Sequence, residues 1–155
     1  MFTFSQRSWQ RLEGVHPDLV FILKETLVKS PIDFGVVEGL RSMERQKQLV
    51  AQKKSQTTNS KHLVQADGWG HAVDLVPYVN GKPSWDWTNI LEMTEAIQTT
   101  LVLYPFVCRI RWGGAWTCIN TTKSAKELKD AYVGRCIDKG KIPFLDGPHF
   151  EILKR

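Results

Sequence analysis

The sequence predicts an α+β domain with a mainly antiparallel sheet flanked by helices. Three observations carry this. Helical patterns gather near the N-terminus, short strand patterns are interspersed with further helices after that, and 155 residues suit one core rather than two. Hydrophobic residues make up 42% and charged residues 24%, the balance of an ordered globular chain. A single domain over 1–155 is expected.

Taken in order, Ser5 to Leu12 reads as a short helix with Ser5 or Ser8 as cap and Trp9 and Leu12 on one face, ended by Gly14. Pro17 and Asp18 suit the start of a second helix, whose apolar stripe Leu19, Leu23 and Leu27 runs to Ser30-Pro31. Phe34 to Gly39 has the β-branched and aromatic character of a strand, with Leu40-Arg41 at its exit. Ser42 caps a third helix reaching about Lys53, and the polar stretch Lys54 to Ser60 is loop.

Ala72 to Val79 reads as a buried strand carrying Asp74 and ending at the turn dipeptide Asn80-Gly81. Trp85 to Tyr104 is a long helical pattern through Ile90, Met93, Ile97 and Leu101, stopped by Pro105. Phe106 to Trp112 follows as a strand, broken by Gly113-Gly114. Ala125 to Tyr132 is a short helix within an irregular, basic stretch, and His149 to Leu153 supplies the last strand.

The net charge of +5 and a pI near 9.2 favour anionic partners such as nucleic acid, a membrane surface or a cell wall. The basic residues are scattered, so no nucleic-acid-binding arm is present and a nucleic-acid partner is not expected. Cys108, Cys118 and Cys136 cannot all pair internally and lack the spacing of a thiolate metal site, so they read as reduced core residues. Met1-Phe2-Thr3-Phe4 is followed by polar residues, so neither a signal peptide nor a membrane-inserting segment is expected.

Catalytic zinc commonly takes three ligands from His, Asp, Glu or Cys. His62, Asp74 and His149 make such a set, two of them on strands. His71 is the alternative to His62, but its spacing from Asp74 puts the two side chains on opposite strand faces. His16 is most simply a helix-start residue.

The segments Ser60-Lys61-His62, Gly70-His71-Ala72-Val73-Asp74 and Asp146-Gly147-Pro148-His149-Phe150-Glu151 resemble the motifs of the D-alanyl-D-alanine carboxypeptidase-like zinc peptidases. The resemblance is to their phage endolysin branch, which cuts peptidoglycan stem peptides. Glu38-Gly39-Leu40-Arg41, Ser84-Trp85-Asp86-Trp87 and Trp112-Gly113-Gly114 resemble that branch in the same order, so the likeness runs nearly end to end. It implies a small hedgehog-like α+β fold, one zinc ion per chain on His62, Asp74 and His149, and Asp146 as catalytic base. It also implies that Arg41 docks a substrate carboxylate and that Ser60 hydrogen-bonds substrate.

Two departures stand out. Seven residues, Leu63 to Trp69, separate His62 from Gly70 where relatives place two, so a polar insertion must loop out, with Trp69 in a position to shape the substrate groove. Ala115 stands where relatives often have an aspartate. Glu151 shares a strand face with His149 and suits a supporting or substrate role. Trp112 and Trp116 are candidates for lining the cleft beside a packing role, whereas Trp85 and Trp87 read as core.

The resemblance implies a peptidoglycan L-alanyl-D-glutamate peptidase of the endolysin type. The expected enzyme is a monomer without a separate wall-binding domain, made in the host cytoplasm and acting on the wall after release. A D-alanyl-D-alanine carboxypeptidase, a non-catalytic zinc-containing wall-binding module and, more weakly, a basic nucleic-acid binder are the alternatives.

Overall fold

The computed structural model describes residues 1–55 and 57–153; Gln56, in the expected loop before Ser60, lies outside them. Helix α1 (Gln6–Leu12) starts where the Ser5 hydroxyl accepts the Ser8 amide, and α2 (Pro17–Lys29) starts at His16, whose Nδ1 accepts the Asp18 amide. β1 (Asp33–Glu38) leads to α3 (Met43–Ala51), capped by Ser42 on the Arg45 amide. β2 (Ala72–Val79) turns into β3 (Lys82–Pro83) through Asn80 and Gly81, both at positive φ, as a tight hairpin requires. Then come α4 (Trp87–Leu103), β4 (Arg109–Trp112), β5 (Thr117–Cys118), α5 (Ala125–Asp138) and β6 (His149–Leu153).

The sheet has the order β1-β2-β6-β4-β5, with β3 on β2, and each of these pairings is antiparallel. The α+β expectation holds. Several boundaries differ from the sequence reading, those of α4, β4 and α5 among them. α4 begins at Trp87 rather than Trp85, and β4 begins at Arg109 because Phe106 and Val107 turn after Pro105. α5 continues to Asp138: its Ser124 cap, reinforced by Glu127, and the Lys126–Asp130 pair support a helix whose largely exposed sequence has little apolar periodicity.

Strand alternation decides where the chemistry lies. Val73, Leu75, Ile110, Trp112 and Phe150 are completely buried in one core with Leu19, Ile22 and Leu23 of α2 and Met93 and Ile97 of α4. Asp74, Arg111, His149 and Glu151 alternate with them and line a cleft. The register sets Asp74 opposite His149 and Arg111 opposite Glu151, so the functional groups are cross-strand neighbours on three adjacent strands. A one-residue slip would send them into the core and its apolar residues into water.

Candidate active site

His62 sits in a turn tied down by its neighbours: the Ser60 hydroxyl accepts its amide at 3.1 Å, and its Nδ1–H donates to the Gly39 carbonyl at 2.8 Å. That bond leaves Nε2 with a free lone pair. His62 Nε2 and His149 Nδ1 lie 3.3 and 3.4 Å from Asp74 Oδ1. These separations are long for hydrogen bonds, yet they match the ~3.3–3.4 Å edge of a tetrahedron with bonds of ~2.0–2.1 Å, the dimensions of a zinc site. Asp74 Oδ1 is moreover buried without a hydrogen-bond partner, an arrangement that costs stability unless a cation answers it. The sequence-derived set therefore converges in space, and its donors fit a divalent metal.

The electrostatics agree. Burial alone would raise the Asp74 carboxyl, but the His149 and His62 imidazoles outweigh it and hold the group well below the usual carboxylate range. Burial would lower His149, yet Asp74, Glu151 and Asp146 raise it to about 9.

Asp146 is placed by a backbone clamp. Its amide donates to the Gly113 carbonyl at 2.9 Å, the Gly113 amide donates to the His149 carbonyl at 2.8 Å, and the His149 amide returns to the Asp146 carbonyl at 3.1 Å. A Cβ on Gly113 would lie 2.3 Å from the Asp146 carbonyl oxygen, so only glycine permits this approach. Burial, then the nearby Asp74 carboxylate, raises the Asp146 carboxyl, against the lowering effect of His149, His62 and Arg41. A carboxyl so raised is suited to taking up and releasing a proton.

Arg41 lines the cleft but is engaged behind Asp74. Its Nε and Nη2 donate to the two Glu38 carboxylate oxygens, each at 2.7 Å, and Nη1 donates to Gln46 Oε1 at 2.6 Å. Nη2 is also 3.8 Å from Asp74 Oδ2, and the side chain is 8% exposed. These contacts occupy much of the guanidinium and set it beside Asp74. Ser60 lines the cleft as well, with its hydroxyl holding His62. Glu151 is buried, 3.8 Å from His149 Nε2 and 3.1 Å from Arg111 Nη1, so it supports the His149 ring as its strand position implied.

The cleft encloses about 770 Å³. Trp116 forms part of its wall, tilted against His149 at 5.4 Å and stacked on Phe144 at 5.8 Å. Trp112 is instead fully buried, donating to the Gly147 carbonyl from its indole. Trp69 is not among the cleft residues, a correction to its expected role: the Leu63 to Trp69 insertion folds to another side, where Gln65, Ala66 and Asp67 border a separate cavity of about 390 Å³.

There the insertion meets the two remaining histidines. His71 Nε2 lies 2.7 Å from Asp67 Oδ2 and His16 Nε2 lies 3.7 Å from the same oxygen, so the three groups gather within 4.8 Å. The detailed geometry differs from that of the first set. The His71–Asp67 distance is that of a hydrogen bond, and His16 Nδ1 already accepts the Asp18 amide, which puts its ring proton on Nε2. The His71–Asp67 hydrogen bond acts as a clasp that ties the insertion to the residue before β2, with His16 facing the same carboxylate. Glu38 and Gln46 as supports of Arg41, and Arg111 on the cleft wall, were missed in the sequence. Arg111 left one signal: a charged residue alternating with the apolar Ile110 and Trp112.

Two imidazole nitrogens and a carboxylate oxygen converging in an open cleft with a carboxyl raised by burial are compatible with a metal-assisted hydrolase. The family model for phage L-alanyl-D-glutamate peptidases matches residues 1–153, and the chain belongs to that peptidase family. The L-alanyl-D-glutamate peptidase of Escherichia phage T5 is 34% identical over 100 residues, spanning 63% of this chain and 67% of that protein. Among solved structures, the Serratia marcescens L-Ala D-Glu endopeptidase ChiX is similar with a TM-score of 0.70 and 34% identity, over 98% of this chain and 90% of that one.

Proposed function

We propose that the chain is a zinc-dependent endolysin-type enzyme that hydrolyses the L-alanyl-D-glutamate bond of peptidoglycan stem peptides. The observation that carries it is the convergence of His62 Nε2, Asp74 Oδ1 and His149 Nδ1 at ligand spacing around a buried carboxylate oxygen with no hydrogen-bond partner. These three residues would hold one zinc ion, which when bound supplies a Lewis acid that polarises the scissile carbonyl and lowers the pKa of a water toward ~7. Asp146 takes the proton of the attacking water and hands it to the departing D-glutamate amine, a role its raised carboxyl suits. Arg41 and Ser60 hold Asp74 and His62 in place, while Glu151 orients His149.

In this reading residues 1–155 form one catalytic domain that works as a monomer and reaches the wall after synthesis in the host cytoplasm. No helix among the described residues is long and apolar enough to cross a membrane. Purified peptidoglycan incubated with the protein, then analysed by mass spectrometry, tests the activity. New glutamate amino termini that disappear with chelator and return with zinc are expected. Loss of terminal D-alanine alone would indicate a carboxypeptidase, and zinc binding without any cut a binding module.

A further inference from the structure

The D-glutamate of the proposed substrate has two carboxyl groups, of which the stem peptide uses one to continue; the other is a free anion beside the bond to be cut. Something in the cleft must meet it. Among the described residues, four lysine and arginine side chains line the cleft: Arg41, Lys54, Lys61 and Arg111. Arg41 is engaged by Glu38 and Gln46 and almost wholly buried. Lys54 and Lys61 have no ion pair among the described residues, and ordering either flexible side chain on a ligand costs entropy.

Arg111 differs from all three. It projects from β4 with its side chain 40% exposed, and it is already fixed. Nε donates to the Trp116 carbonyl at 3.3 Å, Nη1 donates to Glu151 Oε1 at 3.1 Å, and the guanidinium lies over the Trp116 ring at 5.0 Å. Of the five N–H donors of a guanidinium, these bonds engage two, and both on Nη2 have no partner among the described residues. A planar donor fork held rigid with one side unengaged is suited to a carboxylate.

The support itself is built at a cost. Trp116 has φ +51°, a left-handed conformation that a bulky residue adopts only where its surroundings impose it. Two bonds do so: its amide donates to the Trp112 carbonyl and its indole to the Phe144 carbonyl, each at 2.7 Å. The result is that one residue sends its carbonyl to Arg111 and its ring between Arg111 and His149. Through Glu151, Arg111 is also linked to the His149 ring, and it lines the same cleft as His62, Asp74 and Asp146.

Resting on the function proposed above, we propose that Arg111, presented by Trp116 and Glu151, binds the free carboxylate of the D-glutamate residue and so selects the acid over its carboxamide. Arg41 supports the ligand set from behind and takes no part in this selection.

The test uses two synthetic stem peptides that differ only in whether that D-glutamate carboxyl is free or amidated. Values of kcat/KM for both, and affinities for both measured by calorimetry on chelator-treated protein, are compared in wild type, Arg111→Gln, Arg111→Lys and Lys61→Ala. The wild type is expected to prefer the acid by roughly 10–100-fold, the scale of a charge-assisted hydrogen-bonded pair. Arg111→Gln should bring the acid-to-amide ratio close to one, Arg111→Lys should leave it intermediate, and Lys61→Ala should keep it. An unchanged ratio in Arg111→Gln, with both substrates slowed alike, would reduce Arg111 to a support for Glu151 and overturn the proposal. Transfer of the effect to Lys61→Ala would overturn it equally. The calorimetric arm separates the two readings: acid-selective binding that depends on Arg111 without any cleavage refutes the peptidase reading alone, whereas cleavage without acid preference refutes this inference alone.

Discussion

Replacing Gly113 by alanine directs a methyl group at the clamp that holds Asp146, the proposed base, and His149, a proposed metal ligand, together. The new Cβ would lie 2.3 Å from the Asp146 carbonyl oxygen and 3.0 Å from His149 Cβ. Side-chain carbons are essentially never found within 3.0 Å of such an atom, so the Asp146 backbone has to retreat by at least 0.7 Å, the difference between 3.0 Å and 2.3 Å. Ordinary contact raises that to about 1 Å, and a displacement of that size at a reacting group costs on the order of 10²-fold in rate. The same strain should lower stability by about 1–3 kcal/mol, the usual range for overpacking. Hydrolysis of a stem peptide at saturating zinc gives kcat, and urea unfolding gives the stability change. The expected result is a kcat loss near 10²-fold in a protein that remains folded at the assay temperature. Wild-type kcat in Gly113→Ala, at full metal loading, would show that the clamp does not position Asp146 and would remove the basis for its catalytic role.

Other outcomes follow from the same geometry. Asp146→Ala should retain zinc, measured by elemental analysis, while losing about 10²–10⁴-fold in hydrolysis; His149→Ala should lose both, and metal loss in the first variant would contradict the assignment. In chelator-treated protein the raised His149 favours the folded state most below its ordinary value near 6.5, and that contribution fades as pH rises through about 9. The interval corresponds to roughly 3 kcal/mol, so unfolding free energy should decline from about pH 6 to about pH 10 in wild type but not in His149→Gln; an identical decline in both would exclude this origin. Arg41→Ala leaves the half-buried Glu38 without its partner and should cost about 3 kcal/mol by urea unfolding, together with weaker zinc binding. A change below about 1 kcal/mol would mean that Arg41 is not the support described.

The parts of the site that were legible in the sequence are those set by strand period. Asp74 between Val73 and Leu75, and His149 and Glu151 on either side of Phe150, announce which face each occupies, and the antiparallel register then brings Asp74 and His149 together. What the sequence concealed depends on pairings no local pattern specifies. The two-residue strands β3 and β5 are too short to show alternation. The engagement of Arg41 by Glu38 and Gln46 depends on how the chain bends between β1 and α3, which no local pattern specifies. The His16–Asp67–His71 clasp joins a helix start, an insertion and the residue before β2, and only the folded chain brings them together.

The insertion also bears on how this chain can be altered. Its ends are joined before the ligands are reached: Val64 bridges to Gly70, the Gln65 amide meets the Trp69 carbonyl, and the His71 amide meets the Lys61 carbonyl. The spacing between His62 and Asp74 is therefore set by the stapled base of the loop and by the Asp67 clasp, rather than by the residues at its tip. Loop length adds only slowly to closure entropy, about 0.6 kcal/mol per doubling. The tip around Gly68, where an added side chain would meet open space, is thus a natural graft point. A carbohydrate-binding module spliced there would tether the enzyme to its polymer from a point outside the cleft lining, leaving both chain termini untouched.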